Sequence, residues 1–169
     1  SEQTEPEGAD GNATLFRRMI GSLLYLTTSH PNIMFSAILC ARYQAILKES
    51  HILAMKRIFC YLKYTHNVGL WYPRNSKFKL VGYTDSDHGG CCIYRKLTLG
   101  GAQMLGDRLV SWSCKKHALV ACSTAEAEYV SAGRCCAQIL WIQNQQLDNG
   151  LNFSKTHICC DNTNAIQMI

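Results

Sequence analysis

Three carboxylates stand in settings that suit metal chemistry. Asp85 lies in Tyr-Thr-Asp-Ser-Asp (83–87), Glu128 in Ser-Thr-Ala-Glu-Ala-Glu-Tyr (123–129) and Asp161 in Cys-Cys-Asp-Asn (159–162). Asp85 and Asp161 each end an apolar, strand-like run, whereas Glu128 falls early in a helix-like run. Carboxylates at strand ends sit at the rim of a sheet, where several can converge on a divalent cation. Magnesium, a hard ion, prefers such oxygen ligands. Two ions about 3.5–4 Å apart can hold both the attacking and the leaving oxygen of a phosphodiester. Two further acids compete. Asp87 could point into the same rim or cap the following turn, and the turn reading is preferred. Glu126 lies about 200° around a helix from Glu128, so only one of them can face the site. Ala125 and Ala132 flank Glu128 on its own face, where a helix must approach a sheet closely, and this favours Glu128.

The surrounding pattern supplies the elements that must position these groups. Phe16, Met19, Ile20, Leu23, Leu24 and Leu26 recur at helical spacing until His30-Pro31 breaks the run. A second helix is expected over 32–47, with Ile33, Phe35, Ile38 and Leu39 toward the core. A third is expected over 49–65, with Ala54, Ile58, Tyr61 and Leu62 on its apolar face. Residues 69–73 read as a short strand and 74–77 as a turn. Strand-like runs follow at 78–85, 102–105 and 109–113, the last two joined by the hairpin dipeptide Gly106-Asp107. Ser123 or Thr124 can cap a helix to about Leu147 that Asn149-Gly150 stops. A fourth strand at 156–160 precedes a helix opening at Asn162. The expected fold class is α/β, with three antiparallel strands, a helix and a parallel fourth strand. Trp112 and Trp141 are expected in the core.

Hydrophobic residues make up 47% of the 169-residue chain and charged residues 17%, a globular composition. Residues 1–10 hold four of the twelve acidic side chains and no Lys or Arg. The seventeen basic side chains therefore face only eight acidic ones in the rest, a basic balance that suits a polyanionic partner. Lys115-Lys116-His117 could touch a phosphate backbone, although such triplets are usually solvated turns. The ten cysteines include three adjacent pairs and no C-x2-C, which favours free thiols over disulfides or zinc, with His157, Cys159 and Cys160 as a minor zinc alternative. No run reaches the ~20 apolar residues of a membrane helix, and the acidic start is unlike a signal peptide. An intracellular protein, in a cytoplasmic particle or the nucleus and not secreted, is expected.

Several stretches together resemble one family. Arg18-Met-Ile-Gly-Ser-Leu-Leu-Tyr-Leu26, Lys48-Glu-Ser-His51, Lys56-Arg-Ile-Phe59, Leu70-Trp-Tyr-Pro73 and Leu109-Val-Ser-Trp-Ser113 resemble the Pol polyprotein of copia-type LTR retrotransposons. So do Ser123–Tyr129, Cys135-Cys-Ala-Gln138 and Cys160-Asp-Asn-Thr163, in collinear order over residues 14–169. Residues 1–12 are expected as a disordered leader, and the resemblance implies a helical C-terminal part of reverse transcriptase at 13–75 and a truncated RNase H-like mixed sheet at 76–169. No Tyr-x-Asp-Asp occurs, so DNA synthesis is not expected.

Carried over by position, the resemblance makes Asp85, Glu128 and Asp161 the catalytic, metal-binding carboxylates, with Asp87 and Glu126 as lesser candidates. It implies two magnesium ions, with manganese as a substitute, an RNA–DNA hybrid as substrate and the remainder of the Pol polyprotein as partner. No membrane or small-molecule substrate is implied. The family's fourth carboxylate is expected beyond Ile169. His88 replaces an aromatic residue and reads as a packing or surface residue. Tyr94, Leu97 and Leu99 replace an aspartate and two serines in the family's loop. Those departures leave an inactive remnant that at most binds nucleic acid as the alternative.

Overall fold

The computed structural model describes residues 9–87, 98–116, 123–153 and 155–167, without the side chains of residues 9–12 and 87. His88, His117 and the replacements at Tyr94 and Leu97 lie outside the described residues, as do residues 1–8 of the expected leader. The chain forms two compact units, Ser1–Gly69 and Leu70–Ile169.

The first unit is helical. α1 (Ala9–Leu26) starts within the segment expected as leader and buries Phe16, Ile20 and Leu23, one stripe at i, i+4 and i+7. Thr27 and Thr28 return their hydroxyls to the Leu24 and Tyr25 carbonyls as α1 ends. Pro31 then opens a single 3-10 turn, where its missing N–H is no loss. α2 (Met34–Ala41) is shorter than expected, because Gln44 turns back to donate to the Ala41 carbonyl at 2.9 Å and Tyr43 stacks on His51. α3 (Glu49–Tyr64) adds Met55 and Ile58 to a core shared with Ile33, Ala37 and Cys40. Phe35 and Tyr61, expected inside, are 47% and 44% exposed.

The second unit is a mixed sheet with one long helix. β1 (Leu80–Asp87), β2 (Thr98–Leu105) and β3 (Arg108–Lys116) form an antiparallel meander, and β4 (His157–Cys159) joins β1 in parallel. The order is β3-β2-β1-β4. Gly106 supplies the positive φ of the β2–β3 turn, where a Cβ would also fall on the Lys77 carbonyl. Residues 69–73 form no strand. Tyr72 and Pro73 instead give their polar groups to Leu109 and Arg108, so 70–75 belong with the second unit by their contacts.

α4 (Thr124–Asp148) is capped by Ser123, whose hydroxyl accepts from Glu126 N at 3.1 Å. It lies on the sheet face that carries Leu80, Gly82, Thr84 and Ser86. Gly82 permits the approach: a Cβ there would sit 2.5 Å from Ile139 Cδ1 and 2.8 Å from Cys135 Sγ. Leu80, Leu105, Cys135, Ile139 and Ile142 form the core beneath. Trp141, expected inside, points away at 58% exposure, and Trp112 is half-buried.

Candidate functional site

The helix places Glu128 against the sheet and Glu126 toward solvent, as the 200° between them requires. Glu128 is 5% exposed. Its Oε1 accepts from the Ser86 backbone N–H at 3.0 Å and from the Ser86 hydroxyl at 2.7 Å. Its Oε2 accepts from the Cys160 thiol at 3.8 Å. No Lys or Arg among the described residues pairs with it. One turn further along α4, buried Ser131 locks the same helix to β1. Its hydroxyl accepts from Thr84 Oγ1 at 2.6 Å and donates to the Asp85 carbonyl at 2.9 Å.

β4 and the turn after it bring up the third element. The carboxylates of Glu128 and Asp161 and the Cys160 thiol offer ligand atoms that all lie within 4.8 Å of one another. Asn162 fixes the turn, its Oδ1 accepting from Asn164 N and Ala165 N to start α5 (Thr163–Ile166). Burial pushes the Cys160 thiol above its ordinary pKa of 9.0; the Glu128 and Asp161 carboxylates push the same way, and an Asn162 backbone hydrogen bond opposes them. A protonated thiol donating to Glu128 agrees with that direction. Two carboxylates so close suit a hard divalent cation, with the thiol as a softer neighbouring donor.

Asp85 stands outside this group. Successive strand side chains alternate faces, and Ser86 takes the face toward Glu128, so Asp85 projects from the other, opposite Gly100 and exposed. β1 also runs two residues past it, so Asp85 is not the strand's last residue. The backbone of Asp87 ends β1, and its side chain lies outside the described residues. His157 and Cys159 are exposed on β4, and Cys160 groups with carboxylates instead. The roles of Ser86 and Ser131 were not foreseen, and Cys160, expected only in a minor zinc alternative with His157 and Cys159, sits with Glu128 and Asp161 instead. Ser131 could have been found: three residues after Glu128, it shares that helix face.

No protein-family model matches the chain, and no solved structure does. The chain is 35% identical over 128 residues to an uncharacterized mitochondrial protein of Arabidopsis thaliana, covering 75% of this chain and 52% of that protein. It is 31% identical over 153 residues to the retrovirus-related Pol polyprotein from transposon RE1 of the same plant, covering 90% of this chain. A secreted RxLR effector protein of Plasmopara viticola is 31% identical over 124 residues, covering 73% of this chain and 87% of that protein. The chain thus spans about half of the mitochondrial relative and about a tenth of the Pol polyprotein. Among the described residues no helix is long and apolar enough to cross a membrane.

Proposed function

Because the chain belongs to the copia-type retrotransposon Pol polyproteins, as a segment of one, we propose that its second unit is an RNase H-type nuclease that hydrolyses the RNA strand of RNA–DNA hybrids. The mixed sheet, three antiparallel strands followed by a helix and a parallel fourth, is compatible with that fold. The observation that carries the reading is the convergence of Glu128 and Asp161, with Glu128 buried and lacking a cationic partner among the described residues. A buried carboxylate without a counter-charge is costly, and a bound cation offsets that cost.

Glu128 and Asp161 would hold magnesium ions, or manganese in their place, while Asp85, which projects from the other face of β1, is the third carboxylate that the family resemblance assigns to the site. The chemistry such ions supply when bound is a lowered pKa for the attacking water and charge to stabilise a departing 3′ oxygen. The protein's part is to prepare the carboxylates. Ser86 fixes Glu128 Oε1 with two hydrogen bonds, which orients the other oxygen toward Cys160. Asn162 holds the turn that carries Asp161. Selectivity for RNA would come from 2′-hydroxyl contacts in the minor groove of the hybrid.

A second reading, hybrid binding without cleavage, is favoured by the position of Asp85 outside the carboxylate group. A labelled RNA–DNA hybrid incubated with the chain and magnesium decides between them. Cleavage by the parent chain that disappears in Asp85→Asn, Glu128→Gln and Asp161→Asn supports the nuclease, provided the variants keep the parent's circular dichroism. Binding without cleavage selects the second reading, and cleavage that survives Glu128→Gln sinks the assigned site.

A further inference from the structure

Residues 70–79, Leu-Trp-Tyr-Pro-Arg-Asn-Ser-Lys-Phe-Lys, contain three aromatic and three cationic side chains and no acid. The segment has no helix or strand before Leu80, yet the β2–β3 hairpin pins it at several points. Arg108 Nε donates to the Pro73 carbonyl at 2.9 Å, and its terminal nitrogen donates to the same carbonyl and to that of Arg74 at 3.0 Å. The Arg108 guanidinium stands 5.2 Å from the centre of the Phe78 ring. Tyr72 donates its hydroxyl to the Leu109 carbonyl at 2.8 Å, and Gly106 N donates to the Lys79 carbonyl at 2.7 Å.

That bracing leaves the largest side chain of the segment in solvent. Trp71 is 81% exposed, and Arg74, Lys77 and Lys79 are exposed around the same run. Asp107 is the single acid in the hairpin residues that brace it, 105–109, so cations dominate the patch. We propose that residues 70–79 bind single-stranded nucleic acid, with Trp71 stacking on an unpaired base and Arg74, Lys77 and Lys79 holding flanking phosphates. Every base offers a face to an aromatic ring, so the contact tolerates any sequence. Phosphates supply the charge that three lysine and arginine side chains without a carboxylate require. Interface cores are enriched in aromatic residues and Arg but depleted in Lys, so it is Lys77 and Lys79, not the aromatic rings, that favour a nucleic acid over a protein partner. A duplex keeps its base faces stacked and leaves Trp71 without its contact. The site uses none of the carboxylates of the nuclease reading and stands whether or not they cleave.

Fluorescence anisotropy of the full chain with a labelled oligothymidylate, and with an abasic strand of equal length, tests the proposal. Trp71→Ala is expected to weaken oligothymidylate binding about tenfold and leave the abasic strand unaffected, whereas Trp71→Phe keeps most of the affinity. Replacing Arg74, Lys77 and Lys79 together by Ala is expected to weaken both strands. The slope of log affinity against log salt should then fall by about 2, from ~0.7 per phosphate contact. Equal loss on the two strands with Trp71→Ala, or no loss, overturns the stacking role. A Trp71→Ala variant that changes only self-association in sedimentation makes the patch a protein contact and likewise overturns the proposal. Because Trp71 is exposed, its replacement should leave the melting temperature unchanged, which checks that the fold is intact.

Discussion

The strand β1 and the helix α4 meet at two ends that differ in chemistry. At one end Leu80 lies among Leu105, Cys135, Ile139 and Ile142, with Phe153 packed against them. At the other, Thr84 and Ser86 face Ser131 and Glu128 through hydrogen bonds of 2.6–3.0 Å. The apolar end gains from removing surface from water, which stabilises in proportion to area. The polar end loses hydration and regains it in hydrogen bonds, so its net contribution is small. What it achieves is position: a buried carboxylate in one place. One strand–helix pair thus separates holding the fold from presenting the chemistry.

That division can be broken by experiment. Ile139→Ala should cost about 2–5 kcal/mol in denaturant unfolding, because it opens a cavity where Gly82 admits the helix. A cost under 1 kcal/mol would mean that the apolar end is not what holds α4. Ser131→Ala removes the hydroxyl between Thr84 and the Asp85 carbonyl, and should cost roughly 1–3 kcal/mol in the same measurement.

Alkaline pH probes the apolar end alone when the parent is compared with Cys135→Ala. Burial raises the Cys135 pKa above its ordinary 9.0, a hydrogen bond from Gln103 opposes it, and the neighbouring Cys136 and Cys159 add to it. The folded state therefore favours the neutral thiol. Its contribution is present in full below pH 9 and is lost as pH rises through the raised folded value. Melting temperatures from pH 7 to 10.5 should fall more steeply in the parent than in Cys135→Ala, and parallel curves would refute the assignment. The smallest effect is expected of Glu128→Gln, within ~1 kcal/mol of the parent, since the amide oxygen still accepts from Ser86 and a buried charge is gone. A loss above 3 kcal/mol would show that the carboxylate holds the fold as well.

Much of this arrangement was legible in the residues. Gly106-Asp107 and Asn149-Gly150 fall between elements, and His30-Pro31 falls where α1 has ended and the 3-10 turn begins, because each turn chemistry is local. The helix period separated Glu128 from Glu126 for the same reason. The strand expected at 69–73 failed because Pro73 lacks an N–H and the neighbouring hydroxyl and carbonyl bond to the hairpin, leaving no ladder. β2 starts at Thr98, four residues before the run expected at 102–105, because Gly100 and Gly101 lie within the strand although glycine is a poor strand former. Trp141 was misplaced because its size suggested burial, whereas the helix face is set by Ile139 and Ile142 on either side.

By itself the sequence determined the order of most helices and strands, the family and the candidate carboxylates, since these rest on short-range spacing and residue type. Tertiary structure alone decided which carboxylates meet. Asp161 and Cys160 reach Glu128 because β4 pairs in parallel with β1, Tyr83 opposite Cys159, a contact between residues 76 apart in the chain. Asp85 is turned from that group because the strand's side chains alternate and Ser86 takes the face beneath α4. A pairing register is a property of two strands together, so no single segment encodes it.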